Sequence, residues 1–291
     1  MYPYELFWGM DLYSILITVG IIACMVIIRV LSDRRGFTAR WQNFLLFSTV
    51  IAVILGYGAA VLMQGLYNIA RIGHFELTNS TGSTFYGGLL GGAAVFLAIY
   101  FGVGHFLFRD GYHKTHLHDL LDIAACCITA AHGFGRLGCL MAGCCYGAAT
   151  DAWYGIYMVN LGHKVIPVQL YEAIFLFALS ALLIYRFLKG KRYGMPIYML
   201  TYGVWRFLIE YLRDDERGQT IVSFLTPSQL ISVVLILGSA VVFALENYAF
   251  RRQALRATSA GEAAPSEEHP EEESHAEADS QSQTNDQSNA D

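Results

Sequence analysis

Seven separate blocks of apolar residues, each long enough to cross a lipid bilayer, constrain the fold of this 291-residue chain more than any other feature. About 20 helical residues cross the hydrocarbon core, and lipid offers no partner to an unpaired backbone group. Each block therefore predicts a transmembrane helix. The blocks run over residues 12–31, 44–63, 87–108, 120–145, 168–188, 195–212 and 230–248. The predicted fold class is all-α, a polytopic integral membrane protein with seven transmembrane helices.

Positive charge is shared unevenly between alternate loops. Short cytoplasmic loops favour Lys and Arg, and the loops after the first, third, fifth and seventh blocks are rich in both. These loops carry Arg34, Arg35, Arg40, Arg109, Lys114, Lys189, Lys191, Arg192, Arg251, Arg252 and Arg256. The opposite side carries Arg71, Lys164, Arg213 and Arg217. This asymmetry predicts an outside N-terminus and a cytoplasmic C-terminus, as an odd number of spans requires.

The chain divides into a membrane domain, residues 1–250, and an acidic tail, residues 251–291. The tail has no Lys or Arg after Arg256 and no aromatic residue after Ala257. Such a segment cannot bury a core, so it is predicted to be disordered on the cytoplasmic side. Because the tail holds a large share of the acid, the formal net charge of -5 misrepresents the membrane domain. The charge balance gives no argument for nucleic-acid binding.

Arg136 lies inside an apolar block, where a charge costs about 3 kcal/mol or more. It follows Asp119 by 17 residues, about 25 Å of helix rise, so it is expected in the outer part of the membrane. His132 and Cys139 share its helical face. The glycines at 133, 135, 138 and 143 serve either close helix packing or ligand access. The structural alternatives are an Arg136 that reaches the outer interface and a His132 that bonds a neighbouring helix.

A second arginine, Arg206, lies inside the sixth block and shares a face with Glu210 and Arg213. Arg206 and Glu210 either neutralise each other, or Glu210 fixes the guanidinium so that it can hold an anion. Arginine binds phosphate well because its planar fork is always charged. Two arginines in the outer half of the bilayer predict a site for the phosphate of a lipid. This pattern alone fits an enzyme, a lipid-binding protein or a transporter.

Three of the six cysteines, Cys139, Cys144 and Cys145, cluster at a predicted helix end. They are packed apolar groups, a disulfide near the oxidising outer side, or a metal-binding or catalytic thiol site. Their spacing is not a zinc signature, so no metal site is predicted. The other three, Cys24, Cys126 and Cys127, are interpreted as small apolar groups inside helices.

Several ordered motifs resemble the prolipoprotein diacylglyceryl transferase family. They comprise residues 86–92, 135–138 with the glycines at 143 and 147, 167–172, 202–213 and 228–230. The resemblance covers about residues 10–250 and implies an enzyme of the bacterial plasma (inner) membrane. The implied reaction moves the diacylglyceryl group of phosphatidylglycerol to the lipobox cysteine thiol of a prolipoprotein signal peptide, without a cofactor. The alternatives are a divergent relative with a different acceptor and a non-catalytic phospholipid-binding or transport protein.

The resemblance also assigns roles to residues. It implies that Arg136 and Arg206 are essential, with Glu210 as an acidic partner. It places Tyr13, Gln169 and Cys139 among the substrate-binding residues.

The sequence departs from the family's pattern at five positions. Gly58 stands where the family has an arginine in its second helix, and Ile166 where it has a histidine before the motif at 167–172. Tyr86 stands where the family has histidine, Cys139 where it has asparagine, and Cys144 where it has glutamate. An imidazole with an ordinary pKa of about 6.5 suits proton abstraction near neutral pH better than a phenol of pKa about 10. We therefore expect His132 to take the thiol proton and Tyr86 to orient the substrate.

The charge asymmetry gives a topology prediction. A reporter fused after Arg252 should report a cytoplasmic location, because four Lys/Arg-rich loops lie on that side. A reporter inserted near Thr81 should report the opposite side. A pair of alkaline phosphatase and fluorescent-protein fusions measures both, and finding both positions on one side would contradict seven spans.

Overall fold

The computed structural model describes residues 5–7, 9–72, 84–213 and 225–262. Within these ranges, the helices are α1 (Leu12–Arg34), α2 (Ala39–Ile72), α3 (Phe85–Ala98), α4 (Gly104–Leu107), α5 (Tyr112–Thr115), α6 (Leu117–Ala142), α7 (Val168–Leu188), α8 (Gly194–Ile209) and α9 (Pro227–Glu262). Two short antiparallel hairpins pair β1 (Glu5–Phe7) with β2 (Met10–Asp11) and β3 (Ile156–Met158) with β4 (His163–Val165).

Six helical segments in the described part of the chain are long and apolar enough to cross a membrane. They are α1, α2, a segment from Gly87 to Leu107, α6, α7 and α9. The segment Gly87–Leu107 joins α3 to α4 through a π-helical turn at Ile99–Val103. These helices confirm the prediction of a mainly helical, polytopic membrane protein. The predicted block 195–212 forms α8, which has 16 residues, and a 3-10 turn at Glu210–Leu212.

Helix α6 lies inside the bundle, packed against α1, α7 and α8. In the most apolar stretch of each segment, 50% of the residues are buried in α6 and 44% in α7, compared with 11% in Gly87–Leu107. A polar side chain inside a membrane is tolerated where neighbouring helices cover it. The polar residues of α6 and α7 therefore have protein neighbours to pair with.

Helix α6 ends in a tight turn that uses two residues with positive φ. Gly143 has φ 71° and Cys145 has φ 63°. Glycine adopts this region freely, whereas cysteine is strained there. The Cys144 N–H donates to the Cys139 carbonyl at 3.1 Å and the Asn160 side chain donates to the Gly143 carbonyl at 2.8 Å. The turn brings Cys144 and Cys145 back against the last turn of α6.

The segment after this turn is tied to the end of the 3-10 turn that follows α8. The Gly147 N–H donates to the Ile166 carbonyl at 2.9 Å, and the Ala148 N–H donates to the Leu212 carbonyl at 3.0 Å. A Cβ on Gly147 would lie 2.6 Å from the Leu212 carbonyl oxygen, so a larger residue does not fit. These bonds hold Arg213 beside the loop that leaves α6.

The chain separates into two compact units, residues 1–248 and residues 249–291. In the second unit, the described residues 249–262 are helical. The later residues of the predicted tail lie outside the described residues, so disorder of the tail stays a prediction.

Candidate active site

An ion pair between Arg136 of α6 and Glu172 of α7 forms the centre of the site. Arg136 Nε lies 2.9 Å from Glu172 Oε2. The Glu172 side chain is fully buried and that of Arg136 is 14% exposed. Neither atom has an aligned hydrogen bond, so Coulomb attraction holds the pair. The pair leaves the two Nη nitrogens of Arg136 as groups that can contact an anion.

Two further side chains surround the Glu172 carboxylate. The Tyr202 hydroxyl of α8 donates to Glu172 Oε1 at 2.9 Å. His132 Nε2 of α6 lies 3.9 Å from the same oxygen, and its ring meets the Tyr202 ring edge-on at 5.1 Å between centroids. One carboxylate thus connects three helices. A carboxylate beside an imidazole stabilises the imidazolium that forms when the histidine accepts a proton.

A second charged cluster lies where α8 ends and α9 begins. Arg206 Nη2 lies 2.8 Å from Glu210 Oε2 and donates to Ser228 Oγ at 2.7 Å. The Thr226 hydroxyl donates to Glu210 Oε1 at 2.8 Å. Arg213 Nε is 4.0 Å from Glu210 Oε2. The ion pair expected between Arg206 and Glu210 is therefore present, and it lies at a helix junction.

The charges of these clusters do not cancel. Among the described residues that form them, three arginines face two carboxylates, which leaves one positive charge when His132 is neutral. Arg206 is close enough to Glu172 to act on its charge, so the clusters form one electrostatic unit. Arg206 Nη1 is buried and, within the part of the chain that the structure describes, has no hydrogen-bond partner. An unpartnered buried donor and a positive excess favour an anionic ligand.

Tyr13 lies at the start of α1 and Gln169 at the start of α7. A Cβ on Gly138 would lie 3.0 Å from the Tyr13 ring, so the glycine of α6 allows this close approach. The buried Gln169 side chain donates through Nε2 to the Cys144 carbonyl at 2.6 Å. Gln169 Oε1 has no hydrogen-bond partner among the described residues. Both side chains therefore lie beside the turn that follows α6.

The sulfur atoms of Cys139, Cys144 and Cys145 lie within 4.8 Å of one another, and all three are free thiols. Hydrogen bonds from the other two thiols, and the nearby charges of Arg136 and Arg213, lower the pKa of Cys145. Hydrogen bonds with Cys139 and Cys145 raise the pKa of Cys144. The trio adjoins Arg136, which acts on the charges of Cys139 and Cys145.

The structure brings together most of the residues predicted from the sequence. His132 and Arg136 meet at Glu172, and Arg206 meets Glu210, while Cys139 and Gln169 border the turn after α6. The side chain of Tyr86 lies outside the described residues, so its predicted role stays a prediction.

Sequence reasoning missed four residues that contact the arginines or their carboxylates: Glu172, Tyr202, Thr226 and Ser228. Glu172 had a usable signal, because a carboxylate inside an apolar block requires a buried partner. Tyr202 and Ser228 lie within the motifs at 202–213 and 228–230, whereas Thr226, just before α9, has no such signal.

The family model described as prolipoprotein diacylglyceryl transferase matches residues 5–245. The chain is 30% identical to phosphatidylglycerol–prolipoprotein diacylglyceryl transferase 2 of Clostridium perfringens over 256 residues, which cover 84% of this chain and 95% of that protein. It is 31% identical to phosphatidylglycerol–prolipoprotein diacylglyceryl transferase of Clostridium tetani over 264 residues, 86% of this chain and 98% of that protein. A Wolbachia protein of the same name, from the strain wRi, is 26% identical over 254 residues, 83% and 90% of the two chains.

The central ion pair gives a stability prediction. Glu172→Gln should lower the free energy of unfolding by about 3 kcal/mol, because it leaves a buried arginine without its anion. Denaturant titration of the purified protein in detergent measures the change. Glu246→Gln is the matched control, since Glu246 is buried on α9 and makes no ion pair with an arginine in the described chain. Equal losses in the two variants would contradict a specific role for the Arg136 pair.

Proposed function

The chain belongs to the prolipoprotein diacylglyceryl transferase family, and on that premise we propose how its buried arginines and histidine perform the reaction for which its relatives are named. The enzyme transfers the diacylglyceryl group of phosphatidylglycerol to a prolipoprotein. The single observation that carries the mechanism is the pair of arginines, Arg136 and Arg206, each fixed by a buried carboxylate. Such arginines can bind the phosphate that becomes the leaving group.

The reaction replaces a carbon–oxygen bond by a carbon–sulfur bond. The acceptor thiol loses its proton, and the sulfur attacks the glycerol carbon that carries the phosphate. A thioether forms, and glycerol 1-phosphate leaves with the electron pair of the broken bond. Negative charge therefore develops on the departing phosphate, where a preorganised cation stabilises the transition state most.

The arginines are suited to that charge because their positions are fixed before the substrate binds. Glu172 holds Nε of Arg136, and Glu210 with Ser228 holds one nitrogen of Arg206. The remaining guanidinium nitrogens can donate to phosphate oxygens. The burial of Glu172, Arg206 and Glu210 lowers the local dielectric constant, which strengthens these contacts.

We assign His132 as the group that accepts the thiol proton. Its side chain is 16% exposed, so a substrate can reach it, and Nε2 lies 3.9 Å from Glu172 Oε1. The Glu172 carboxylate is placed to stabilise the imidazolium after proton transfer. Tyr86, at the start of α3, is assigned a substrate-orienting role through its hydroxyl.

The proposed topology has seven spans in the plasma (inner) membrane of a bacterium, with the N-terminus outside and the C-terminus in the cytoplasm. Helix α8 is the short span. Its 16 residues rise about 24 Å and the 3-10 turn adds about 6 Å. The sum is close to the hydrocarbon thickness of about 30 Å, which supports counting α8 as a span.

An assay with phosphatidylglycerol and a lipobox peptide tests the function. The peptide thiol should gain the diacylglyceryl group, measured by mass spectrometry, and glycerol phosphate should be released. A relative with another acceptor would bind the lipid and leave this peptide unmodified. A non-catalytic lipid-binding or transport protein would release no glycerol phosphate with any acceptor.

The phosphate-binding role predicts the outcome of conservative changes at the arginines. Arg136→Lys and Arg206→Lys should each reduce kcat about 100-fold, because a point charge does not replace a planar fork. Arg29→Lys is the control, since Arg29 pairs with Asp33 on an exposed face of α1 and should keep full activity. Near-normal turnover in folded Arg136→Lys and Arg206→Lys proteins would show that these arginines are structural.

The assignment of the base gives a paired prediction. His132→Gln keeps much of the hydrogen bonding but removes the base, so the transfer rate should fall at least about 100-fold. Tyr86→Phe should keep most of the rate and change mainly KM. Full turnover in His132→Gln together with loss in Tyr86→Phe would transfer the catalytic role to Tyr86.

A further inference from the structure

The three sulfur atoms at the end of α6 have a geometry close to that of a metal site. All three lie within 4.8 Å of one another, and the thiols are free. Zinc–sulfur bonds of about 2.3 Å place tetrahedral sulfur ligands about 3.8 Å apart. Small side-chain rotations therefore suffice to bring the sulfurs of Cys139, Cys144 and Cys145 onto one ion.

The backbone around the trio is held in place by contacts outside the trio. Cys145 keeps a positive φ that is unfavourable for cysteine, which persists only where the surroundings fix it. The Gly143 carbonyl accepts from Asn160 and the Cys144 carbonyl accepts from the buried Gln169. These contacts come from the loop after the turn and from α7. The three sulfurs thus lie in a turn whose backbone is held by hydrogen bonds from Asn160 and Gln169.

The local charge suits three thiolates around a divalent cation. Three thiolates and a 2+ ion carry one net negative charge. Arg136 and Arg213 both lie close enough to Cys145 to act on its charge. Two positive side chains beside the trio therefore offset the excess negative charge of a metal-loaded site.

We propose that Cys139, Cys144 and Cys145 bind one thiophilic divalent cation, for which Zn²⁺ is the probe. Thiolate ligands select such ions over Mg²⁺ or Ca²⁺. Three protein ligands leave the fourth position to water, on the side where Cys144 is exposed. A disulfide would use two of the sulfurs and leave the third beside it, whereas a metal ion uses all three.

The bound ion would fix the turn after α6 relative to the site. Cys139 lies one helical turn after Arg136 on α6, and Gln169 lies one turn before Glu172 on α7. The trio and the bond from Gln169 to Cys144 therefore join the two helices just beyond the Arg136–Glu172 pair. The metal acts here as a positioning element for Arg136, and the proposal goes beyond the proposed function.

Metal content of the full-length protein tests the proposal. Protein purified with reductant, loaded with Zn²⁺ and freed of excess ion should retain about one zinc per chain by mass spectrometry. Co²⁺ should give thiolate-to-cobalt charge-transfer absorption.

Cys144→Ser should weaken Zn²⁺ binding at least about 10-fold, and because Cys144 is exposed, this variant should fold. Cys24→Ser is the control, since Cys24 donates to a carbonyl of α6 within the helix bundle and should leave metal binding unchanged.

Several results would overturn the inference. The first is that the protein retains no zinc, and the second is that Cys144→Ser binds zinc as tightly as the unchanged protein. The third is that, in protein purified without reductant, two of the three thiols are lost to a disulfide that a chelator does not affect. Transferase assays separate this inference from the proposed function. A chelator should slow the transfer and Zn²⁺ should restore it. Full transfer by metal-free protein would refute the positioning role alone, whereas zinc binding without any transfer would refute the proposed function alone.

Discussion

The fully buried carboxylate of Glu172 is the group on which the arrangement of the site depends. It forms an ion pair with Arg136 and lies near His132, both on α6. It also accepts a hydrogen bond from the Tyr202 hydroxyl on α8. A carboxylate in hydrocarbon surroundings is stable only with a cation and hydrogen-bond donors close by. The same requirement fixes how α6, α7 and α8 face one another. Helix packing and site geometry therefore have a common electrostatic cause.

Glu210 repeats this arrangement at the other end of the site. It pairs with Arg206 and accepts from Thr226, while Ser228 accepts from the same arginine. The junction between α8 and α9 is thereby fixed around a charged group. Each arginine has enough partners to be buried and keeps nitrogen atoms that can donate to a further anion. With three arginines and two carboxylates, the substrate phosphate completes the charge balance in the proposed mechanism.

Two of the departures from the family's pattern, Cys139 and Cys144, lie at the end of α6 and the turn after it, while the others are Gly58, Tyr86 and Ile166. Cys139 and Cys144 stand where the resemblance leads one to expect asparagine and glutamate, and the structure gathers them with Cys145 into one group. The two ion pairs of the site are Arg136–Glu172 and Arg206–Glu210. In the proposed mechanism the ion-paired arginines bind the phosphate, while cysteines occupy the turn beside them.

The sequence by itself determined the membrane fold, since blocks of about 20 apolar residues allow little except transmembrane helices. It also identified Arg136, Arg206 and Glu210, because a charge inside such a block is too costly to be accidental. Only the tertiary structure decided the partner of Arg136. Glu172 lies on another helix, 36 residues along the chain, and helical periodicity describes neighbours within one helix alone. The cysteine trio depended on the tertiary structure for a similar reason, because the positive φ values of Gly143 and Cys145 are set by contacts with Asn160 and Gln169.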